Sequence, residues 1–373
     1  MNIAWFIVVF LFIFLIQGFI NRKWGLKGIS YQRYLKQTSV SEGEKVVMVY
    51  EIMNRKLLPV PWLRLETMIH SNLLSEESVK FEEEGPVYHS TLFSLWPYQK
   101  ITRKILLIGR KRGYYLLPSV SVTAGDAMGF GGVFDSFASQ TALTVYPKLV
   151  PMEEIPLPSH SWLGEMTVKR WIIEDPFLHA GVREYQQGDS FNSINWKATA
   201  RTHSFQINKK DYTADHHLLI YVSFDINEDV RLPMEKLDLF EKALSYAATL
   251  ASYTINQGVA TGFGCNGYYV EPFVNSISLV KPSVRIEPSS DGQQVEFILD
   301  AIAKVKMDRS RNFPAFLQED INGELTNTDI IIFAYKITEK VELQIDKLEQ
   351  LGNAVKVVIL ADEVKKAEVE NAG

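Results

Sequence analysis

The first hydrophobic feature of the chain is a continuous apolar run over residues 3–20, which contains no charged side chain. A helix of this length rises about 27 Å, close to the hydrocarbon thickness of a bilayer. A cleaved signal peptide would need basic residues before the run and a small-residue cleavage site after it, and the sequence has neither. The run predicts a transmembrane helix, with membrane lipid as the partner of residues 3–20 and residues 1–24 as anchor and flank.

The basic residues around this run lie on its C-terminal side. Arg22, Lys23 and Lys27 follow it closely, whereas the α-amino group is the only positive charge before it. Positively charged flanks stay in the cytoplasm, and no other stretch of the sequence is apolar enough to span a bilayer. The pattern predicts a single-pass protein of the cell membrane whose C-terminal domains are cytoplasmic.

Between about residues 30 and 148 the apolar positions tend to alternate with polar ones. The alternation is visible in residues 45–52, 62–66 and 104–108, and a period of two is typical of half-buried strands. Turn residues separate these segments at residues 41–43, 59–61, 112–113 and 129–132. Short strands at such spacing predict a β-sandwich-like module over residues 25–150. This module contains no catalytic cluster, so a structural or docking role is expected for it.

From about residue 215 the pattern changes to apolar strands that alternate with helices. Residues 218–222 form a continuous apolar run, as expected for a parallel strand buried on both faces. The following pattern predicts helices over residues 236–257, 292–305 and 340–351, and strands over residues 259–264, 329–334 and 354–360. Repeated strand–helix units predict an α/β Rossmann-like domain over residues 215–373. Ligands of such sheets bind at the carboxyl ends of the strands.

The segment between the two modules, residues 151–214, carries a distinctive spaced series of residues. The series is Arg183, Glu184, Tyr185, Gly188, Asp189, Ile194, Trp196, Ala200 and Arg201. It resembles the signature of the domain-of-unknown-function 58 family, in which the series precedes a von Willebrand factor A-like domain. Many relatives carry an Asp where this chain has Asn195 and a basic residue where it has Asn192.

The signature residues have two interpretations. In the structural one, Gly188 permits a turn and Asp189 caps the following helix, and large side chains are buried between two domains. It predicts burial of Phe191, Ile194 and Trp196, and ion pairs of Arg183 and Arg201 with Glu184, Asp175 or Asp189. In the functional interpretation, exposed Arg, Tyr and Trp side chains form a docking surface for a partner.

The resemblance also implies a Mg²⁺ site at the end of the first strand of the α/β domain. The positions that correspond to the metal-binding loop are Ser223, Asp225 and Asn227, and Ser290 is the counterpart of a threonine from a later loop. Ser223 replaces an acidic residue, and Tyr335-Lys336 follows the third strand where a second acid is needed. One carboxylate binds a hard dication poorly. We therefore expect a degenerate loop and no cofactor, with Mg²⁺ as the weaker alternative.

Composition and charge narrow the remaining function classes. A formal charge of −5 provides no basic excess for nucleic acid. The single cysteine, Cys265, excludes an intrachain disulfide framework. The sequence contains neither a G-x-x-x-x-G-K-[ST] phosphate loop nor a G-x-S-x-G nucleophile elbow. These observations favour a protein that is not an enzyme.

The resemblance implies a membrane-anchored interaction or adaptor protein that works with a MoxR-type AAA+ ATPase to assemble or remodel other complexes. Two alternatives stay open. One is a metal-dependent enzyme that uses Asp225 and the acidic residues of the signature segment. The other is an extracellular adhesion module, which would require the opposite membrane topology.

Overall fold

The chain divides into two compact units, built mainly from residues 1–148 and 149–373. A computed structural model describes residues 5–6, 9, 12, 23–74, 85–125, 132–139, 141–157, 174–186, 191, 194–212, 217–226, 237–269 and 281–360.

The predicted transmembrane helix, residues 3–20, lies almost wholly outside the described residues. Of this run only Trp5, Phe6, Val9 and Phe12 are described, as exposed helical residues. Among the residues that the structure does describe, no helix is long and apolar enough to cross a membrane. The anchor therefore stays a prediction.

The first unit consists of strands and the turns between them. In chain order these strands are β1 (Ile29–Leu35), β2 (Ser39–Ser41), β3 (Lys45–Asn54), β4 (Val60–His70), β5 (Pro86–Leu95), β6 (Lys100–Ile108), β7 (Gly113–Leu117), β8 (Val120–Gly125), β9 (Gly132–Phe137) and β10 (Thr141–Tyr146). They form sheets of order β1-β3-β6, β2-β10-β7 and β5-β4-β8-β9. All neighbouring pairs are antiparallel except β2 and β10, which are parallel.

The core of the first unit follows from the alternation along β3. Val46, Met48, Tyr50 and Ile52 are buried at every second position, so they share one face of the strand. Val46 and Met48 pack in a cluster with residues of β7 and β10, whereas Tyr50 and Ile52 pack in another with residues of β4, β5 and β8. One strand face therefore supplies both cores of this unit.

The second unit begins with a hairpin and continues as strands and helices. In chain order its elements are β11 (Glu174–Glu184), α1 (Trp196–Thr202), β12 (Gln206–Tyr212), β13 (His217–Val222), α2 (Leu237–Asn256), β14 (Ala260–Cys265), β15 (Tyr268–Tyr269), β16 (Val284–Ser289), α3 (Gln294–Lys304), β17 (Val305–Lys306), α4 (Phe313–Asn322), β18 (Thr328–Ala334), α5 (Glu339–Gln350) and β19 (Ala354–Ile359).

The sheet of the second unit has the order β16-β14-β13-β18-β19. Its strands are parallel except for β16, which runs antiparallel to β14 at the edge. Every residue of β18 is buried, as expected for a strand that is covered on both faces. Leu219 and Tyr221 of β13 pack with residues of α4 and α5. Helix α2 packs against β13 and β14.

The strands and helices predicted for residues 215–373 are confirmed, with each end within two residues of its prediction. The sequence patterns did not predict α4 or the antiparallel edge strand β16. Because β16 is antiparallel, Ser290 does not lie at the predicted site, as described below.

Candidate functional site

The first candidate site lies at the carboxyl end of β13. Ser223 is buried, and its backbone N–H donates to the carbonyl of Phe333 at 2.9 Å, which continues the pairing of β13 with β18. The Oγ atom of Ser223 accepts a hydrogen bond from the backbone N–H of Asp225 at 3.3 Å. These bonds turn the chain so that the Asp225 carboxylate faces the residues that follow β14 and precede α4.

Protein donors surround the Asp225 carboxylate. Its Oδ1 accepts from Nδ2 of Asn266 at 2.8 Å and lies 3.6 Å from a guanidinium nitrogen of Arg309. Its Oδ2 accepts from the backbone N–H of Phe313, the first residue of α4, at 2.7 Å. A carboxylate at this position also interacts favourably with the positive end of the helix dipole. Both carboxylate oxygens are therefore engaged by hydrogen-bond donors of the protein.

Asn266 connects this carboxylate to the adjoining loops. The residue is completely buried, and its Oδ1 accepts from the backbone N–H of Phe224 at 2.8 Å. Its Nδ2 also donates to the backbone carbonyl of Arg311 at 3.1 Å. A buried amide that is bonded on both sides fixes the loops it joins, since each lost bond would leave an unsatisfied polar group.

Burial raises the pKa of the Asp225 carboxyl above its usual range. The hydrogen bond from Phe313, the charge of Arg309 and the hydrogen bond from Asn266 lower this pKa, but the loss of solvent is the larger effect. Metal binding requires the deprotonated carboxylate, so protons compete with a cation at pH values below this raised pKa.

The predicted metal-ligand set is not brought together. Ser290 is exposed and follows the end of β16, where Ser289 pairs with Thr261 near the start of β14. Because β16 is antiparallel, Ser290 lies at the amino ends of the parallel strands, whereas Asp225 lies at their carboxyl ends. Asn227 lies outside the described residues. In the part of the chain that is described, no three His, Cys, Asp or Glu side chains could share a metal.

A cleft opens beside Asp225 and contains a cavity of about 30 Å³, enough for a water molecule. Its lining includes Ser223, Asp225, Lys336, Thr338 and Lys340. The exposed Lys336 follows β18, where a cation site needs an acid. Mg²⁺ needs oxygen ligands, whereas Asp225 is surrounded by hydrogen-bond donors and Lys336 adds a positive charge. These residues do not fit Mg²⁺.

The second candidate site is the signature segment. Strands β11 and β12 form an antiparallel pair in which Arg183 is opposite Ile207. Helix α1 lies between them in the chain, and its N-cap is Asn195, whose Oδ1 accepts from the backbone N–H of Ala198 at 2.9 Å. The predicted cap, Asp189, and the predicted turn residue Gly188 lie outside the described residues.

The prediction that Phe191 and Trp196 are buried is wrong, whereas burial of Ile194 is confirmed. Phe191 is 71% exposed and Trp196 is 65% exposed, while Ile194 is 6% exposed and forms a bridge to Ile207. The physical reason is the short helix α1, which has no buried residue. It lies on the surface and presents the indole of Trp196 to solvent.

The exposed rings of Phe191 and Trp196 form one cluster with the exposed Phe205 and the partly buried Tyr185, which we call the aromatic cluster. Ring centroids lie 5.8 Å apart for Tyr185 and Phe191, and 6.3 Å apart for Tyr185 and Phe205. Trp196 contacts Phe205 edge to face at 6.5 Å. Phe205 is 55% exposed, and the sequence patterns did not single it out, although it is an aromatic residue directly before β12.

The charged signature residues lie at the surface. Arg183, Glu184, Ala200 and Arg201 are exposed, and Arg183 donates to the backbone carbonyl of Glu184 at 3.2 Å. Arg201 lies in the last turn of α1, where a positive charge complements the helix dipole. The side chains of Asp175 and Asp189, predicted as ion-pair partners, lie outside the described residues.

Comparisons with known sequences match part of this chain to a family of unknown function. The family described as "Protein of unknown function DUF58" matches residues 181–327, a range that begins in the signature segment and ends just before β18, so that it includes the parallel strands β13 and β14. "Uncharacterized protein YeaD" of Bacillus subtilis (strain 168) is 22% identical over 372 residues, which cover 99% of this chain and 85% of that protein.

Several solved structures match part of this chain at low sequence identity. The sporulation control protein Spo0M of Bacillus subtilis aligns at 13% identity over 43% of this chain and 58% of its own, with a TM-score of 0.19. A β-glucosidase of Listeria innocua in complex with glucose aligns at 12% identity over 31% of this chain and 16% of its own, also with a TM-score of 0.19. These scores are too low to indicate a shared fold.

Proposed function

We propose that the protein is a membrane-anchored adaptor that binds a protein partner through the aromatic cluster. The observation that carries the proposal is the exposure of three large rings within one short segment. Trp and Tyr are enriched among the residues that dominate binding energy at protein interfaces, and Arg is the third such residue. Arg183 and Arg201 are exposed in the same segment of the chain.

The resemblance of the signature to the domain-of-unknown-function 58 family supports a MoxR-type AAA+ ATPase as the partner. In this proposal residues 3–20 hold the protein in the membrane and the second unit faces the cytoplasm. The adaptor then brings the ATPase to membrane complexes that are to be assembled or remodelled. The von Willebrand factor A-like character of the second unit belongs to the same proposal.

The surroundings of Asp225 argue against the alternative of a metal-dependent enzyme. Its carboxylate accepts hydrogen bonds from Asn266 and from the first residue of α4. An acid that is already bonded in this way holds loops in place, and a metal or a substrate would have to compete with these donors.

The test is capture of the partner from detergent-solubilised membranes by the full chain, followed by peptide identification. We expect the wild type to retain a MoxR-type ATPase and Trp196→Ala to lose at least about tenfold of the captured amount, as removal of a binding hot spot does. Because Trp196 is exposed, this variant should melt within about 1–2 °C of wild type.

Phe297→Ala is the matched control, since Phe297 is a 58% exposed aromatic residue on α3 of the same unit. It should capture the ATPase as wild type does. Undiminished capture by Trp196→Ala would contradict the proposal. A strongly lowered melting temperature would instead restore the structural interpretation of the signature.

A further inference from the structure

One end of the first unit presents large apolar side chains on its turns. Leu57 lies in the β3–β4 turn, Trp96 and Tyr98 lie in the β5–β6 turn, and Trp24 precedes β1. Their exposed fractions are 75% for Leu57, 70% for Trp96, 62% for Tyr98 and 49% for Trp24. Turns normally carry small and polar residues, so this composition needs an explanation. We call these four residues the turn rim.

Hydrogen bonds hold the segments of the turn rim next to each other. The Lys56 ammonium donates to the backbone carbonyl of Trp24 at 2.5 Å and also to that of Gly25. The backbone N–H of Tyr98 donates to the carbonyl of Lys56 at 3.3 Å. Asn54 is completely buried, and its Nδ2 donates to the carbonyls of Leu58 at 2.9 Å and Trp96 at 3.0 Å.

These hydrogen bonds join the segment around Trp24 and the two turns of the rim into one surface. Tyr98 adopts a positive φ of 55°, a conformation that is uncommon for a residue with a bulky side chain. The buried amide of Asn54 and the ammonium of Lys56 fix the turns on either side of it. The exposed side chains therefore project from a defined backbone.

The position of Trp24 in the sequence indicates what kind of surface the turn rim contacts. It follows the apolar run of residues 3–20 by four residues in the sequence. Tryptophan and tyrosine concentrate at the membrane–water interface, where an amphipathic ring sits at the level of the headgroups. Lys23, Lys27 and Arg55 are exposed beside the rim, and basic residues near a membrane surface are attracted to anionic lipid.

We propose that the turn rim lies in the interfacial region of an anionic bilayer, so that the first unit contacts the membrane directly as well as through its anchor. Leu57, Trp96 and Tyr98 enter the headgroup layer beside Trp24, and Lys23, Lys27 and Arg55 face the lipid phosphates. This inference rests on the membrane anchor of the proposed function. It adds a second contact, which fixes the orientation of the β-rich module on the bilayer.

The test uses the full chain in vesicles of phosphatidylcholine and phosphatidylglycerol, with an environment-sensitive fluorophore on single introduced cysteines. The native Cys265 is completely buried and stays unlabelled, which the wild-type chain verifies. Leu57→Cys, Trp96→Cys and Tyr98→Cys report on the turn rim. We expect blue-shifted emission at all three sites and quenching by spin-labelled lipid.

Tyr88→Cys and Tyr34→Cys are matched controls, because Tyr88 is 74% exposed and Tyr34 is 48% exposed on strands of the same unit. Tyr88 precedes Trp96 by eight residues of largely extended chain, a distance of about 26 Å. Both controls should keep the emission of a water-exposed label and remain unquenched by lipid.

Val9→Cys separates this inference from the anchor itself. Lipid quenching at position 9 without quenching at the turn rim would overturn the inference and leave the anchor in place. Absence of quenching at both would overturn both. Rim labels that are shielded from aqueous iodide but not quenched by lipid would show that protein covers the rim, which also overturns the inference.

Discussion

At the scale of single residues, the Asp225 carboxylate joins three segments that are distant in sequence. It follows β13, and it accepts hydrogen bonds from the residue after β14 and from the first residue of α4. Its side chain is 14% exposed, so water can replace these partners only in part. The acidic residue of the loop that was expected to be degenerate for metal binding holds three segments together.

Replacement of Asp225 by alanine should destabilise the second unit. The donors of Asn266 and Phe313 would lose their acceptor in a partly buried site, and we expect a loss of about 2–3 kcal/mol. Denaturant unfolding of the full chain in detergent measures the change. Asp346→Ala is the control, since Asp346 is exposed on α5 and should shift stability by less than about 0.5 kcal/mol.

Equal losses in the two variants would show that the bonds of Asp225 contribute nothing. A saturable rise in melting temperature with millimolar Mg²⁺, abolished in Asp225→Ala, would show instead that the carboxylate binds a cation.

The raised pKa of Asp225 has a consequence for stability at acid pH. Between the unfolded pKa of about 4 and the raised pKa of the folded state, the folded chain binds more protons at this site. The contribution of Asp225 to stability therefore decreases as pH rises through this window and is constant above it.

We expect the difference in unfolding free energy between wild type and Asp225→Asn to decrease from about pH 4 upward. Denaturant unfolding of both proteins over a series of pH values measures this difference. If the difference increases with pH instead, the donors around the carboxylate outweigh its burial.

At the scale of elements, the glycines of β14 allow the sheet to form at its antiparallel edge. A Cβ atom on Gly262 would lie 2.5 Å from the carbonyl oxygen of Ile286 and 2.8 Å from the backbone nitrogen of Pro288. Both contacts are to the backbone of β16, which cannot move without breaking its pairing with β14. Glycine is required here by close approach, since its φ is not in the left-handed region.

Gly262→Ala should therefore destabilise the chain by about 1–3 kcal/mol, as overpacking does. The matched control is Gly292→Ala, because no atom lies within 4 Å of a Cβ built at this exposed residue before α3. This control should lie within about 0.5 kcal/mol of wild type or be slightly more stable. Denaturant unfolding compares the two, and equal effects would contradict the close approach of β16.

The sequence predicts a strand best where other elements of the fold cover both of its faces. Strand β18 is buried throughout, and its continuous apolar run has no competing interpretation at that length. Helix α4 was missed although Asn312 caps it and Pro314 lies in its first turn. Both residues are also typical of turns, and only ten residues follow as helix.

The candidate sites depend more on non-local contacts than the elements do. The strand-end rule located Asp225, but its donors come from Asn266 and from a helix that no pattern indicated. The burial of Trp196 was predicted wrongly because hydrophobicity alone does not say whether another element covers a side chain. In α1 none of the described residues is buried, and the exposed rings are what supports a docking surface.

At the scale of the whole molecule, the distribution of basic residues after residue 20 predicts which side of the membrane the two units occupy. Protease added outside intact cells should leave the chain after residue 20 uncut, because Lys and Arg flanks stay in the cytoplasm. A C-terminal tag followed by blotting measures the result. Permeabilised cells are the control, in which the tag should be lost. Loss of the tag in unbroken cells would contradict the topology and favour the adhesion module.

The strand order of the second unit has a consequence for its synthesis. The central strand β13 pairs on one side with β14 and on the other with β18, and Leu218 is opposite Asp329. Residues 223–327 separate β13 from β18 in the chain. The N-terminus emerges from the ribosome first. The edge of β13 that pairs with β18 therefore stays unpaired until Ala334 has emerged. During that interval the strand is open to pairing with other nascent chains, and any product truncated before β18 retains this exposed edge.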